Sequence, residues 1–392
     1  MLYVLLALAV FGLVTSSVFT GMALAAVPRY LGERRKALAA LGREPAFTPP
    51  LSLLKPLHGA DPGLEAYLAT FFEQDYPVYE ILFCARSEND PGIAVARRVA
   101  ARYPAIPAHF LFTGEPEYIN AKVASMKLME KHAAHEILVI SDSDVRVRHD
   151  YLTSVAMAFA DSRVGGLTCP YRGVAAEGGL WARLEAVGRS VEMTAGVLVA
   201  RSVEGMQFTL GPTMAFRRET IRRMGGFRVS ADYCADDFVL GNQTYKLGET
   251  VILSHHAIDH MVINTSFRQS MLHQVRWMKS TRFSRPKGHF GTVLTLSMPF
   301  GLLGFAAAMA LGDAKIAIAL LAWAVASRWL LSIFVGGRVV GDSNWVNLLV
   351  LYPIRDLMGF LFWAASYTSR SILWRGLKYQ LLPEGKMRAV KQ

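Results

Sequence analysis

Cysteine is scarce in this chain. There are three, Cys84, Cys169 and Cys234, odd in number and far apart, which excludes a disulfide framework and a Cys-x-x-Cys zinc site and suits a reducing compartment. The glycine motifs that cradle phosphates are missing too. No Gly-x-Gly-x-x-Gly follows the first strand-like run and no Gly-Lys-Ser/Thr loop occurs, so dinucleotide-binding and P-loop folds lose their main support. Charged residues make up only 19% of the 392, with a formal net charge of +11. The basic residues cluster beside apolar segments and do not interleave with aromatics along one soluble face. That distribution argues against nucleic acid as a partner and for anionic lipid headgroups and an anionic substrate.

Apolar residues, by contrast, are abundant: 52% of the chain. Residues 2–27 carry no charge and are long enough to cross about 30 Å of hydrocarbon. A cleaved signal peptide fits less well, because no basic segment precedes the run and Arg29, Arg34, Arg35 and Lys36 follow it. By the positive-inside rule these charges set the next domain in the cytoplasm, with the N-terminus outside. Pro45, Pro49 and Pro50 mark a short linker. The expected domains are therefore a membrane helix over 1–27, a cytoplasmic catalytic domain over 45–290, membrane or re-entrant helices over 291–369 and a basic tail over 370–392.

Within that tail-end region, Thr292 to Leu311, Ile316 to Val335 and Trp345 to Tyr367 are of membrane length. Four simple spans starting outside would return the C-terminus to the outside, whereas Arg370, Arg375, Lys378, Lys386 and Arg388 place it in the cytoplasm. Because the last segment holds Pro353 and the charged pair Arg355-Asp356, it is expected to be a re-entrant hairpin, with those charges paired or facing protein.

Between the membrane segments, strand-like runs (Leu51 to Leu54, Val78 to Ala85, Ala108 to Phe112, Glu136 to Ile140) alternate with helix-like ones (Leu64 to Phe72, Ile93 to Ala101, Ile119 to Lys131). Such alternation implies a parallel sheet covered by helices on both faces, with ligands at the carboxyl ends of the strands. The fourth strand runs into Ser141-Asp142-Ser143-Asp144. Side chains alternate along an extended chain, so Asp142 and Asp144 point the same way and could share a divalent cation, Mg²⁺ or Mn²⁺, that holds the diphosphate of a nucleotide sugar. A solvated acidic turn is the simpler reading of that triplet alone, and its context has to decide.

Context comes from three further places. Asn120-Ala121-Lys122 opens the preceding helix, where a lysine can meet phosphate; most lysines in such a position are merely exposed. Ala235-Asp236-Asp237 precedes a helical segment through Tyr245, where paired carboxylates suit a helix N-terminus but one could also serve as the single base of an inverting transfer. His273-Gln274-Val275-Arg276-Trp277 lies on an expected helix from Phe267 to Phe283. Arg276 can pair with a diphosphate in bidentate fashion and Trp277 can stack; a juxtamembrane basic helix with an interfacial tryptophan is the competing view. Leu180 to Val199 reads as core packing rather than a lipid-facing entrance. Gly165-Gly166, Gly211-Pro212-Thr213 and Gly225-Gly226 read as turns, and His255, His256 and His260 as structural or surface residues.

Leu53-Leu54-Lys55-Pro56-Leu57-His58-Gly59, Asn89-Asp90-Pro91, Asn120-Ala121-Lys122, Ser141-Asp142-Ser143-Asp144, Ala235-Asp236-Asp237 and Arg276-Trp277, with Pro353-Ile354-Arg355-Asp356 and Trp374-Arg375-Gly376 near the end, resemble the ceramide glucosyltransferase family and bacterial hopanoid-modifying relatives. The resemblance implies an α/β, Rossmann-like catalytic domain of the GT-A type joined to transmembrane helices. It also implies a UDP-sugar donor, with UDP-glucose foremost, a divalent metal, and a membrane lipid acceptor such as ceramide or a hopanoid. Carried over residue by residue, it sets Asp90 near the uridine, with Glu88 sharing that task. Asp142 and Asp144 would hold the metal, Asp237 would be the base with Asp236 beside it, and Lys122, Arg276 and Trp277 would hold the donor. His273 stands where the family pattern has Gln or Arg. Polyprenyl-phosphate or polysaccharide transfer, a non-enzymatic scaffold and a transporter are the competing classes; polar residues concentrated in one soluble domain disfavour the transporter.

Overall fold

The computed structural model describes residues 1–41, 47–264, 266–374 and 376–390; Pro45 and Arg375, named above, lie outside these residues. Helix α1 (Leu2–Leu41) runs well past the expected 27, because nothing at Pro28 stops it. The α/β domain then begins with β1 (Leu51–Pro56), α2 (Leu64–Phe72), β2 (Tyr79–Ala85), α3 (Pro91–Ala100), β3 (Ala108–Phe112), α4 (Ala121–His132) and β4 (Ile137–Ser141). These match the expected alternation within one to three residues at most ends.

Beyond β4 the pattern changes. A short β5 (Val145–Arg146), α5 (Tyr151–Ala158), β6 (Val164–Thr168) and β7 (Tyr171–Ala175) lead into α6 (Leu180–Gly188), a π-turn at Arg189–Met193 and α7 (Thr194–Glu204). There follow β8 (Thr213–Arg217), α8 (Arg218–Arg223), α9 (Asp236–Lys246), β9 (Thr250–Leu253), β10 (Ile258–Val262) and α10 (Phe267–Ser284). The main sheet has seven strands in the order β3-β2-β1-β4-β8-β6-β9. It is mixed rather than parallel: β8 runs antiparallel to both β4 and β6. Gly165-Gly166, expected in a turn, lies inside β6.

Alternation along the central strands supplies two cores. Leu53, Ile81, Phe83 and Val139 face the cluster that α2, α3 and α5 cover, while Leu54, Leu82, Leu138 and Ile140 face Val123, Met126 and Met129 of α4 and Leu240 of α9. Because both faces are sealed, the open place left to a ligand is the strand edge. The antiparallel β8 matters there. Its register pairs Thr213 with Ser141, which lays Gly211-Pro212 against the end of β4, and the Asp142 N–H donates to the Pro212 carbonyl at 3.2 Å.

Among the described residues three helical runs are long and apolar enough to cross a membrane: Leu2–Ala40, Ala314–Val339 and Asn347–Ala365. A fourth stretch is broken, since α11 (Pro286–Thr292) with its following turn and α12 (Met298–Ala310) meet at 48°. The break thus falls in the first of the three late segments, whereas the last, expected to be the hairpin, is unbroken. Its cause is local. Pro299 cannot continue a helix from behind, and Asp356 Oδ2 accepts from Ser297 N–H (2.9 Å) and Met298 N–H (2.8 Å), capping α12 where it begins. Asp356 also pairs with Arg328 of α13 (Ala314–Leu331) at 2.8 Å, and Arg355, its neighbour on α14 (Tyr352–Ala365), pairs with Glu192 of the π-turn at 3.0 Å. The charges expected to need partners have them.

Residues after 370 do not trail away as a basic tail. β11 (Ser371–Trp374), β12 (Leu377–Leu381) and β13 (Met387–Ala389) form an antiparallel sheet whose Ile372, Tyr379, Leu381 and Met387 pack on Cys234. Met387 N–H donates to the Asp232 carbonyl at 2.7 Å, tying this sheet to the loop that delivers Asp236 and Asp237.

Candidate active site

At the edge defined by β4, β8 and the start of α9 lies a cavity of about 510 Å³. It is lined by Lys122, Asp142, Asp144, Asp236 and Asp237 on one side and by His273, Arg276 and Trp277 on the other. Residues from four separate parts of the chain therefore meet in one cleft.

Lys122 is the centre of the acidic side. Asn120 caps α4 by accepting from Lys122 N–H (3.0 Å), and its amide donates to the Tyr233 carbonyl (3.0 Å) and Asp236 Oδ1 (3.2 Å), so the starts of α4 and α9 are locked together. The Lys122 side chain is consequently buried. Its Nζ lies 2.6 Å from Asp142 Oδ1 and 3.8 Å from Asp236 Oδ2. Burial alone would lower the lysine's pKa, but Asp142 and Asp236 outweigh it and hold the ammonium charged. Beneath the site Lys55 donates to the Asp142 carbonyl (2.6 Å) and sits 3.7 Å from the centre of the Phe71 ring. Burial pulls this lysine down to about 7.

Asp237 presents Oδ2 to Gly211 N–H (2.6 Å) and Oδ1 to Phe238 N–H (2.8 Å). A β-carbon on Gly211 would stand 3.1 Å from Asp237 Oδ2 and 3.9 Å from Asp142 Oδ2, so the two carboxylates flank one residue that has to be small. Burial first, and the adjacent Asp236 second, raise the Asp237 carboxyl to about 6; Asp236 is raised as well, chiefly by burial. Two like charges side by side at a helix start are costly, and Lys122 partly offsets that cost.

On the opposite wall Trp277 stands 4.8 Å from His273 and 6.4 Å from His260, ring centre to ring centre, with the Arg189 guanidinium 5.0 Å from its own. His260 Nε2 is 3.2 Å from Asp144 Oδ2. Although burial opposes it, His260 and Arg189 hold the Asp144 carboxyl below the usual range. Glu185, from the stretch read as core packing, is fully buried and accepts from His273 Nδ1 (2.6 Å), Arg189 Nη2 (2.7 Å) and Asn264 Nδ2 (2.6 Å). Arg276 reaches over the Trp374 ring of the C-terminal sheet at 5.8 Å, and Trp374 itself lines the cavity.

Asp90 and Glu88 stand outside the cavity lining. Asp90 caps α3 through Gly92 N–H (2.8 Å) and accepts from Gly59 N–H (3.0 Å), holding the loop that brings His58 and Asp61 to the cavity; exposed Glu88 pairs with Arg97. Sequence reasoning missed His260, Glu185 and Trp374. His260 was visible only as one of three nearby histidines, Glu185 as a lone acid in an apolar run, and Trp374 as part of a resemblance with no role attached.

Among the described residues no group of three or more His, Cys, Asp or Glu side chains is placed to hold a metal ion. Asp142 and Asp144 offer hard oxygen donors of the kind Mg²⁺ and Mn²⁺ take, in the number that suits a cation whose other ligands are phosphates and water. The donor set therefore fits a divalent ion carried with a diphosphate.

The chain joins a mixed α/β sheet, with an acidic edge opening on a cavity, to helices of membrane length. The chain belongs to glycosyltransferase family 21, whose model, "Glycosyl transferase family 21", matches residues 9–387. It is 25% identical over 360 residues to ceramide glucosyltransferase 1 of Caenorhabditis elegans, covering 88% of this chain and 74% of that one. It is 38% identical over 101 residues to the ceramide glucosyltransferase of Komagataella phaffii, covering 25% and 20%. Among solved structures it resembles the mannosyltransferase PcManGT from Pyrobaculum calidifontis in complex with GDP-Man and Mn2+, with 20% identity, 88% and 99% coverage and a TM-score of 0.46.

Proposed function

We propose that this chain is an inverting glycosyltransferase that moves glucose from UDP-glucose to a hydroxyl of a membrane lipid, ceramide foremost, giving a β-linked glycolipid. The observation that carries the reading is the flanking of Gly211 by Asp237 and Asp142, which gives a raised-pKa carboxylate and a diphosphate-side carboxylate one shared space. Asp237 takes the proton from the acceptor hydroxyl as that oxygen attacks the anomeric carbon; the glycosidic bond forms as the bond to the diphosphate breaks. Lys122 and Arg276 stabilise the charge that collects on the leaving diphosphate. Asp142 and Asp144 would hold a divalent ion, which when bound would supply Lewis-acid neutralisation of the same charge. Trp277, braced by His273 and Arg189, walls the donor from water.

Membrane topology follows from the docked C-terminal sheet. Because β11 to β13 pack on the catalytic domain, the chain crosses the bilayer an even number of times between α10 and β11. Ala314–Val339 and Asn347–Ala365 supply two crossings, so the broken pair α11 and α12 enters and leaves on one side; the 13 residues of α12 reach only about 20 Å. With Arg29, Arg34, Arg35 and Lys36 following the apolar stretch of α1, that side is the cytoplasm.

The deciding experiment incubates the purified protein with radiolabelled UDP-glucose or UDP-N-acetylglucosamine against ceramide or a hopanoid polyol. Labelled glucosylceramide is the expected product. Label in the hopanoid alone would move the acceptor to that class, and label in neither lipid would end the lipid-acceptor reading.

A further inference from the structure

A second cavity, of about 610 Å³, opens between α1 and the helical run Ser332–Val339 that continues α13. It shares no residue with the catalytic cavity. Its walls are apolar where α1 is apolar, through Leu24, Val27, Leu31 and Phe334. At the other end stand Arg34, Arg35 and Arg338.

None of the described residues lining it is an Asp or Glu. Glu33 is taken by Arg29 (3.5 Å) and Arg201 (2.6 Å), and Asp342, four residues after Arg338, accepts from Ser190 Oγ and Asn344 N–H. Arg34 donates to the Val339 carbonyl at 3.3 Å, which ties it to the cavity mouth without neutralising it, and Arg338 lies 5.3 Å over the Phe334 ring. Among the described residues these three guanidinium groups share one cavity with no carboxylate in ion-pair contact, at the point where a membrane helix leaves its apolar stretch. A phosphate diester with an acyl chain matches both ends at once: the anion meets the guanidinium groups, which favour phosphate oxygens in bidentate pairs, and the hydrocarbon lies along α1.

We propose that this cavity is a binding site for one anionic phospholipid, separate from donor and acceptor, that fastens α1 to α13 at the membrane surface. The test places the whole protein in nanodiscs of equal phosphatidylcholine and phosphatidylglycerol, releases it and counts retained lipids by native mass spectrometry. Phosphatidylglycerol is expected to be retained over phosphatidylcholine. Arg35→Gln and Arg338→Gln, both at exposed positions where folding is unaffected, should each weaken retention about five-fold, the equivalent of about 1 kcal/mol per basic side chain. Lys36→Gln, on the same helix but outside the lining, should leave it unchanged. Equal retention of the two lipids, an Arg35→Gln/Arg338→Gln double variant that holds phosphatidylglycerol as the parent does, or an equal loss in Lys36→Gln would overturn the proposal. Displacement of the lipid by inorganic phosphate alone would reduce the site to a free-anion site and overturn it as well.

Discussion

The Glu185 carboxylate lies 2.6 Å from His273 Nδ1, so an acid on the α6 helix sets the orientation of the first residue of the His-x-x-Arg-Trp turn on α10. Arg189, one helical turn on, bonds the same carboxylate and covers the Trp277 ring. Despite its burial Glu185 stays ionised, because Arg189 and His273 hold its carboxyl well below the usual range.

Removing that acid should therefore act on the donor wall as well as on stability. Glu185→Ala leaves Arg189 buried without its anion and should cost roughly 3–5 kcal/mol, read by thermal or denaturant unfolding. Glu185→Gln keeps the shape and one acceptor but also removes the anion, so it should lose part of that stability; we expect a folded protein with a lower melting temperature and a donor KM raised about ten-fold. An unchanged donor KM in a folded Glu185→Gln protein would reduce Glu185 to a core residue.

The base role proposed for Asp237 requires its ionised form. With its carboxyl raised to about 6, kcat/KM should fall as pH drops through about 6 and level off above it. Asp237→Asn should bind UDP normally yet lose turnover by roughly 10² to 10⁴. Loss of nucleotide binding to the same degree would instead assign Asp237 to the donor or to folding.

Lys122 favours ionisation of Asp237 and neutralises Asp142. Lys122→Met should shift the acid limb of the pH profile toward neutral pH and raise the donor KM by roughly ten- to a hundred-fold, the value of a charge-assisted contact to phosphate. A pH profile that stays where it was would show that the lysine does not set the base.

The C-terminal sheet adds Trp374 to the cavity and anchors the Asp232 to Cys234 loop. Trp374→Ala should raise the donor KM about ten-fold through the loss of its contact with Arg276, worth roughly 0.5–2 kcal/mol. Isothermal titration with UDP checks it; unaltered affinity would leave the sheet a purely structural strap.

Much of the catalytic half was legible because its signals are local. The run Ile137 to Ser141 followed by two aspartates reads as a buried strand reaching a sheet edge, and the strand does so. The antiparallel insertion of β8 was not legible, since Thr213 to Arg217 looks like any short strand and its direction is set by which neighbour it meets. Lys122 gave the same difficulty: a helix lysine is ordinarily exposed, and only the cap at Asn120 and the approach of α9 bury it.

The membrane half divides in the same way. Composition alone identified the apolar segments and demanded partners for Arg355 and Asp356, because burying an unpaired charge is costly in any arrangement. Which segment bends is a question of contact between segments far apart in the chain: Asp356 reaches back to cap α12, and the break follows from that. Periodicity, charge and short motifs thus carry the elements and the chemical types at the site, since these depend on neighbours within a few residues. The direction of β8, the burial of Lys122, the bracing of His273 by Glu185 and the return of the C-terminal sheet to the active-site loop arise from long-range packing, which no local pattern encodes.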